Sequence, residues 1–281
     1  MMHFYKMHGI GNDYIYMDNF IDPEPSDIAE TARRMSDVRK GIGSDGLILI
    51  QPSEVANCRM RMFNADGSEG AMCGNGVRCV GKFMLVKHPE LCEGNKVTVE
   101  TWAGIKVIEA VKVENGDPVL LKVDLDYPGL SAESIPVLSD TPQNVLLPLN
   151  GKKVPGVCVN MGSSHVVLFI DFDPMTLDLE KIGPGLEHHP LFPNRVNVEF
   201  IQQLADGTLN MRVWERGSGE TFACGTGASA SVVAAILKGI LKKHETTVHL
   251  RGGDLLIDWN EDGHVYMTGE ADFICEGNWY N

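Results

Sequence analysis

Two stretches of this chain repeat one design, and the repeat limits what the chain can fold into. Asn64-Ala-Asp-Gly-Ser-Glu-Gly-Ala-Met-Cys73-Gly-Asn-Gly-Val-Arg78 and Glu215-Arg-Gly-Ser-Gly-Glu-Thr-Phe-Ala-Cys224-Gly-Thr-Gly-Ala-Ser229 each carry a Gly-Ser turn, a cysteine, and then Gly-x-Gly opening an apolar helical run. Each cysteine therefore sits at the N-terminal mouth of a helix, where unreceived backbone N–H groups and the positive end of the helix dipole favour a thiolate over a thiol. Two such mouths imply two similar halves with two matched thiols. A length of 281 residues agrees with two domains of ordinary size.

A net charge of −14 argues against a nucleic-acid backbone or an anionic membrane surface as partner, since both reward clustered Lys and Arg. An acidic ligand has to be held by local donors instead. The seven cysteines are odd in number, lack Cys-x-x-Cys spacing and follow no secretory leader, so a reduced, cytoplasmic setting is expected. Residues 228–241, the most apolar helix, are rich in small side chains and broken by Lys238, too short to span a bilayer. No membrane role is read.

Along the chain, Phe4 to Asp18 reads as a strand and turn around Gly9-Ile-Gly-Asn12-Asp13, a loop with special backbone angles. Asp27 and Glu30 form a capping-box pattern for a helix running to about Asp37. Gly41-Ile-Gly43-Ser-Asp-Gly46 matches G-x-G-x-x-G, but it follows a helix and precedes a strand, the reverse of a dinucleotide site. Period-two runs at 47–51, 58–63, 96–101, 105–113 and 119–125 are expected strands, and Tyr127 to Gly151, with four prolines, is the expected linker. In the second half strands are expected at 157–160, 165–171, 196–202, 209–214, 246–250, 255–259 and 265–268, with a short helix at 175–181 and a long one after Cys224. The fold class is α+β: two pseudo-symmetric domains, each a curved, barrel-like, mostly antiparallel sheet wrapped around a helix that starts at its cysteine.

Cys58, Cys79, Cys92, Cys158 and Cys275 read as core thiols, because free cysteine is among the most buried residue types. Cys73 and Cys224 depart from that reading through their duplicated glycine-rich context. His188-His189-Pro190 reads as a loop rather than a metal pair, since adjacent histidines point apart and no third ligand is spaced for a site; no metal site is expected. Glu215 and Arg216, just ahead of Cys224, read as site residues. Two helix mouths turned toward one ligand would clamp a carboxylate and present a sulfur on each side of the adjacent carbon. Proton removal on one face and delivery on the other inverts a stereocentre, and no cofactor motif is visible.

Six separated motifs resemble, in order, those of the diaminopimelate epimerase family: Lys6-Met-His-Gly-Ile-Gly-Asn12-Asp13, the Gly41 to Gly46 loop, Asn64 to Arg78, Phe192-Pro-Asn-Arg195-Val-Asn197, Glu215-Arg216-Gly and Ala223-Cys224-Gly-Thr-Gly. The resemblance implies a cofactor-independent, two-base enzyme that interconverts LL- and meso-diaminopimelate for lysine and peptidoglycan synthesis. It implies Cys73 and Cys224 as the acid/base pair, with His165 and Glu215 tuning them. Gly74, Asn75, Gly225 and Thr226 would supply carboxylate-binding N–H groups, while Asn12, Asn64, Asn197, Glu215 and Arg216 would hold the remaining polar groups of the small amino-acid substrate. It further implies domains at 1–127 and 128–271, a tail at 272–281 packing on the first domain, and a homodimer. Two departures stand out. Gly162-Ser163-Ser164-His165 replaces the family's Gly-Asn-Pro-His, and Ile274-Cys275-Glu276-Gly277 replaces its Val-Tyr-Asp-Gly. Another amino-acid racemase on this scaffold, such as one acting on histidine, is the rival reading; a thiol redox protein would require the Cys-x-x-Cys spacing that is missing.

Overall fold

The computed structural model describes residues 1–280, and the chain divides into two compact units, Met1–Asp124 with the segment from Thr268 on, and Leu125–Met267. The chain thus leaves the first unit after Asp124, where the sequence placed the change after Tyr127, and returns at Thr268, where the sequence placed it at Asp272.

In the first unit β1 (Met2–Gly9) and β2 (Asn12–Asp18) form an antiparallel hairpin. Its turn holds Ile10 at φ 47° and Gly11 at φ 81°, left-handed angles that a β-branched residue seldom adopts. Helix α1 (Ile28–Ser36) starts where Asp27 accepts from the Glu30 N–H at 2.9 Å. Only that half of the capping box forms, because the Glu30 carboxylate accepts from Arg33 Nε at 3.0 Å instead of reaching back. Strand β3 (Gly46–Gln51) then runs parallel to β2, and β4 (Cys58–Asn64) runs antiparallel to β3. The two-residue β5 (Glu69–Gly70) hooks back on β4 and delivers the chain to α2 (Gly74–Lys87). Strand β6 (Lys96–Thr101) returns parallel to β4, and β7 (Gly104–Glu114) and β8 (Asp117–Asp124) add antiparallel strands.

The second unit repeats these steps. An antiparallel pair, β9 (Val145–Leu149) and β10 (Lys152–Asn160), leads to β11 (Ser164–Phe169), antiparallel to β10. Helix α3 (Leu179–Glu187) precedes β12 (Asn197–Gln203), which is parallel to β11, and β13 (Leu209–Glu215) is antiparallel to β12. A two-residue β14 (Gly219–Glu220) hooks back on β13 before α4 (Gly225–Leu237). Strand β15 (Glu245–Leu250) is parallel to β13 and β16 (Gly253–Trp259) antiparallel to β15. The chain passes through β17 (Val265–Gly269) to β18 (Asp272–Trp279), which pairs antiparallel with β1.

Sheet encloses both cysteine-led helices. Helix α2 packs on β1, β6, β7 and β8, and every residue from Gly74 to Met84 is buried. Helix α4 packs on β10, β11, β12, β15 and β16, with Gly225 and residues 227–235 buried. That is why α4 lacks a polar stripe: a helix covered on all sides has no solvent face to mark.

Three expectations need correction. Tyr127 to Gly151 is not a linker, since Ile135, Val137, Val145, Leu147 and Leu149 lie in the core of the second unit. Alternate residues of β9 point inward, and Pro148 takes an exposed position between them. The helix expected at 175–181 is instead a single 3₁₀ turn, Pro174–Thr176, followed by α3, which runs on through Pro184. There the flanking glycine is a packing device, because a Cβ on Gly183 would run into the Trp214 ring. Among the five cysteines read as core, Cys58, Cys79 and Cys158 are buried, but Cys92 is half-buried and Cys275 is exposed on β18.

Candidate functional site

Each unit builds a polar cluster at its cysteine. In the first, Cys73 is the N-cap of α2 and its Sγ accepts from the Gly76 N–H at 3.3 Å. The same sulfur lies 3.1 Å from Asn12 Oδ1, to which a thiol donates. The Ile10-Gly11 turn brings Asn12 there, and Asn12 Nδ2 in turn donates to Asp45 Oδ2 at 2.5 Å. Burial pushes the Asp45 carboxyl above the usual carboxylate range, against the pull of the Asn12 amide. Asp45 also accepts from the Asp13 N–H at 3.1 Å, and Lys6 pairs with Asp13 at 2.9 Å while donating to Gly43 O at 2.6 Å. The Gly41 to Gly46 loop is therefore a brace for Asn12. Asn64 ends β4 and donates to Ser68 Oγ at 3.0 Å. Asn75 lies buried in the first turn of α2, and the wholly buried Arg78 donates to Gly74 O at 3.5 Å and to Glu270 O at 3.4 Å, tying the helix start to the returning chain.

In the second unit Cys224 caps α4 in the same way, accepting from the Gly227 N–H at 3.3 Å with Thr226 Oγ1 3.5 Å away. Its surroundings differ. Only 6 % exposed, its thiol is held well above the ordinary range by burial first and then by the carboxylates of Glu215 and Glu199; the Thr226 hydroxyl and Gly227 N–H pull the other way without reversing it. The sequence expectation that both helix mouths favour thiolate is thus corrected at Cys224, where desolvation and two like charges outweigh the dipole. Glu215 itself is raised, by burial, while hydrogen bonds to Thr221 and Cys224 and the nearby His165 oppose that.

Register explains how the remaining groups meet. His165 on β11 pairs with Asn197 on β12, and Glu199, two residues on, projects to the same face as Asn197. His165 Nδ1 lies 2.7 Å from Glu199 Oε1, both side chains wholly buried, and His165 Nε2 lies 2.8 Å from Ser163 Oγ. Asn197 Nδ2 donates to Ser164 O at 3.1 Å and Ser163 Oγ at 3.4 Å, while its Oδ1 accepts from the Arg216 N–H at 2.8 Å. The Arg216 guanidinium donates to Asn194 O at 3.2 Å. Nitrogen, oxygen and sulfur of His165, Glu199 and Cys224 lie within 4.8 Å of one another, a donor set that a small cation would accept. At 2.7 Å, however, the His165 and Glu199 atoms are at hydrogen-bond distance, so a proton joins them here.

Residues 4–126 and 157–274 match the sequence profile of diaminopimelate epimerase. The chain is 50% identical over 282 residues to a diaminopimelate epimerase of Acetivibrio thermocellus, covering 98% of each chain. It is also 50% identical over 279 residues to one of Methanococcus maripaludis, covering 98% of this chain and 99% of that one. The chain belongs to the diaminopimelate epimerase family. As a member of the diaminopimelate epimerase family it is an isomerase. The fold extends further: a probable proline racemase from Agrobacterium radiobacter superposes with a TM-score of 0.71 at 16% identity, covering 100% of this chain and 93% of that one. Among the described residues no helix is long and apolar enough to cross a membrane.

Two residues of the cysteine clusters of this epimerase escaped the sequence reading. Asp45 stood inside a recognised motif but had no assigned task. Glu199 carried a signal that was passed over, a lone carboxylate among the apolar Val196, Val198, Phe200 and Ile201. A charge in a buried strand requires a partner, and here the partner is His165.

Proposed function

We propose that this epimerase interconverts LL-2,6-diaminopimelate and meso-diaminopimelate by a two-base route in which Cys73 and Cys224 each handle one proton and no cofactor takes part. The observation that carries the reading is the duplicated cap: in each unit a cysteine sulfur accepts from the third N–H of a glycine-opened helix, at 3.3 Å in both. In the first turn of α4 the N–H groups of Gly225 and Thr226 precede that bond, where a helix has no carbonyl of its own to receive them. They, with Gly74 and Asn75 in α2, are proposed to hold the substrate carboxylate and the charge that builds on it as the Cα proton leaves. Because burial and the flanking carboxylates keep the Cys224 thiol protonated, Cys224 is the proton donor in the direction for which Cys73 is the base. Roles exchange in the reverse reaction.

Asn12, Asn64, Asn197, Glu215 and Arg216 are proposed to hold the amino groups and the distal carboxylate, with the planar Arg216 fork suited to a two-point grip. Thiols that must pass protons have to stay reduced, which supports a cytoplasmic setting. The family resemblance supports a homodimer, with Cys275 standing where the family places a contact tyrosine. The decisive assay follows Cα inversion by proton NMR, with metal-free and pyridoxal-free enzyme. LL-diaminopimelate is expected to reach the meso form without additions; much faster turnover of histidine would overturn the reading of the distal pocket.

A further inference from the structure

Ser163, one of the residues at which this chain departs from its family's usual motifs, sits at the end of a hydrogen-bonded array. Ser163 Oγ lies 2.8 Å from His165 Nε2, and His165 Nδ1 lies 2.7 Å from Glu199 Oε1. A serine, a histidine and a buried carboxylate joined in that order form a nucleophile, its base and the group that fixes the base's orientation. In the tautomer that carries its proton on Nδ1, His165 donates to the wholly buried Glu199 at Oε1, 2.7 Å away. That tautomer leaves Nε2 as an acceptor for the Ser163 hydroxyl. Asn197 Nδ2 donates to Ser163 Oγ at 3.4 Å, and of the acceptors around that hydroxyl the imidazole at 2.8 Å is nearer than Thr226 Oγ1 at 3.5 Å.

Nothing in the local turn requires the contact. The turn between β10 and β11 is already closed by Met161 N–H to Ser163 O at 3.0 Å and Gly162 N–H to Asn160 Oδ1 at 2.7 Å, with Gly162 at φ 89°. This lifts Ser163 to the turn's edge, half-exposed, while the next two residues are buried. Thr226 Oγ1 in the first turn of α4 lies 3.5 Å from Ser163 Oγ, so the mouth of that helix stands beside any group joined to the serine, where N–H donors favour an anionic oxygen.

We propose that Ser163, His165 and Glu199 make Ser163 an activated nucleophile, a covalent-modification site for small acyl or phosphonyl electrophiles. With an alkyl fluorophosphonate, the Ser163 Oγ–P bond forms, the P–F bond breaks and fluoride leaves. The hydroxyl proton passes to His165 Nε2 and from there to water, with no change of oxidation state. The neighbouring Cys224, its thiol held protonated, is a weak competitor for this phosphorus reagent.

The test incubates the full-length enzyme with the fluorophosphonate and locates the adduct by intact mass and peptide mapping. One label per chain at Ser163 is expected, with none at that position in Ser163→Ala, and a labelling rate lower by roughly 100-fold or more in Glu199→Gln, the size of effect seen when such a carboxylate is neutralised. An unlabelled Ser163, under conditions that fully label an ordinary serine hydrolase, overturns the proposal, as does an undiminished rate in Glu199→Gln. Should Glu199→Gln not fold, the wild-type pH profile decides: a rate that levels off once one group has lost its proton supports the array, and one that climbs tenfold per pH unit without a plateau refutes it. Epimerisation of diaminopimelate, assayed on the same unlabelled preparation, keeps the two readings separate. Active epimerase with an inert Ser163 removes only this proposal, and labelled but inactive protein removes only the two-base reading.

Discussion

At Cys224 burial decides the balance against the helix mouth, and two carboxylates add to it. The mouth supplies one N–H at 3.3 Å and a hydroxyl at 3.5 Å, whereas burial and the carboxylates of Glu215 and Glu199 all disfavour a thiolate. Cys224 in the free enzyme is therefore expected to react with iodoacetamide at neutral pH at least about tenfold more slowly than glutathione in the same buffer, since the thiolate is the reactive form. Peptide mapping of partly alkylated protein measures this, and Cys224 alkylating as fast as glutathione would contradict it. Replacing Arg216 with Lys keeps charge but loses the fork, so kcat/KM is expected to fall by about 1.5 to 3 kcal/mol equivalent; an unchanged value would take Arg216 out of the substrate contact. Cys73→Ala and Cys224→Ala should each abolish epimerisation about as fully as the double variant, because groups acting as a unit do not contribute additively.

Among the elements, α4 and β12 approach each other closely at Gly227. A Cβ at Gly227 would stand 2.7 Å from Glu199 Oε1 and 3.2 Å from Cys224 Sγ. Gly227→Ala improves helix propensity, by up to about 1 kcal/mol, yet it has to displace the Glu199 carboxylate, the nearest group to the new Cβ. The expected result is a folded protein with kcat lowered by roughly tenfold or more, on the order of 1.4 kcal/mol; wild-type kcat would show that the carboxylate yields freely. The same elements show what a sequence can and cannot disclose. Both cysteine-led helices, the Asp27 cap and most strands were legible, because glycine punctuation and apolar periodicity are local. The array of Ser163, His165 and Glu199 was not, since it depends on β11 and β12 pairing in parallel with His165 opposite Asn197. Nor was β9, whose alternating Val145, Leu147 and Leu149 were masked by four nearby prolines.

At the scale of the whole molecule, the thiols make stability depend on pH. Burial raises Cys79 and Cys158 to about 12, and pushes Cys58 and Cys224 up as well. An unfolded thiol ionises near about 8.5. A raised folded value means stability that is intact below the unfolded value and lost as pH climbs toward the folded one, so unfolding free energy should decline above pH about 8.5. Cys158→Ala is expected to shallow that slope by up to about 1.4 kcal/mol per pH unit; denaturant melts between pH about 8.5 and about 11 check it, and identical slopes would contradict it. The central claim, one proton per cysteine at one carbon, is tested most directly by isotope. LL-diaminopimelate is incubated in D2O and both pools are examined by NMR at early conversion. The account predicts deuterium at the inverted centre of the meso product while the remaining LL substrate keeps its protium. Protium retained in the product, or deuterium entering the LL pool ahead of inversion, would contradict it.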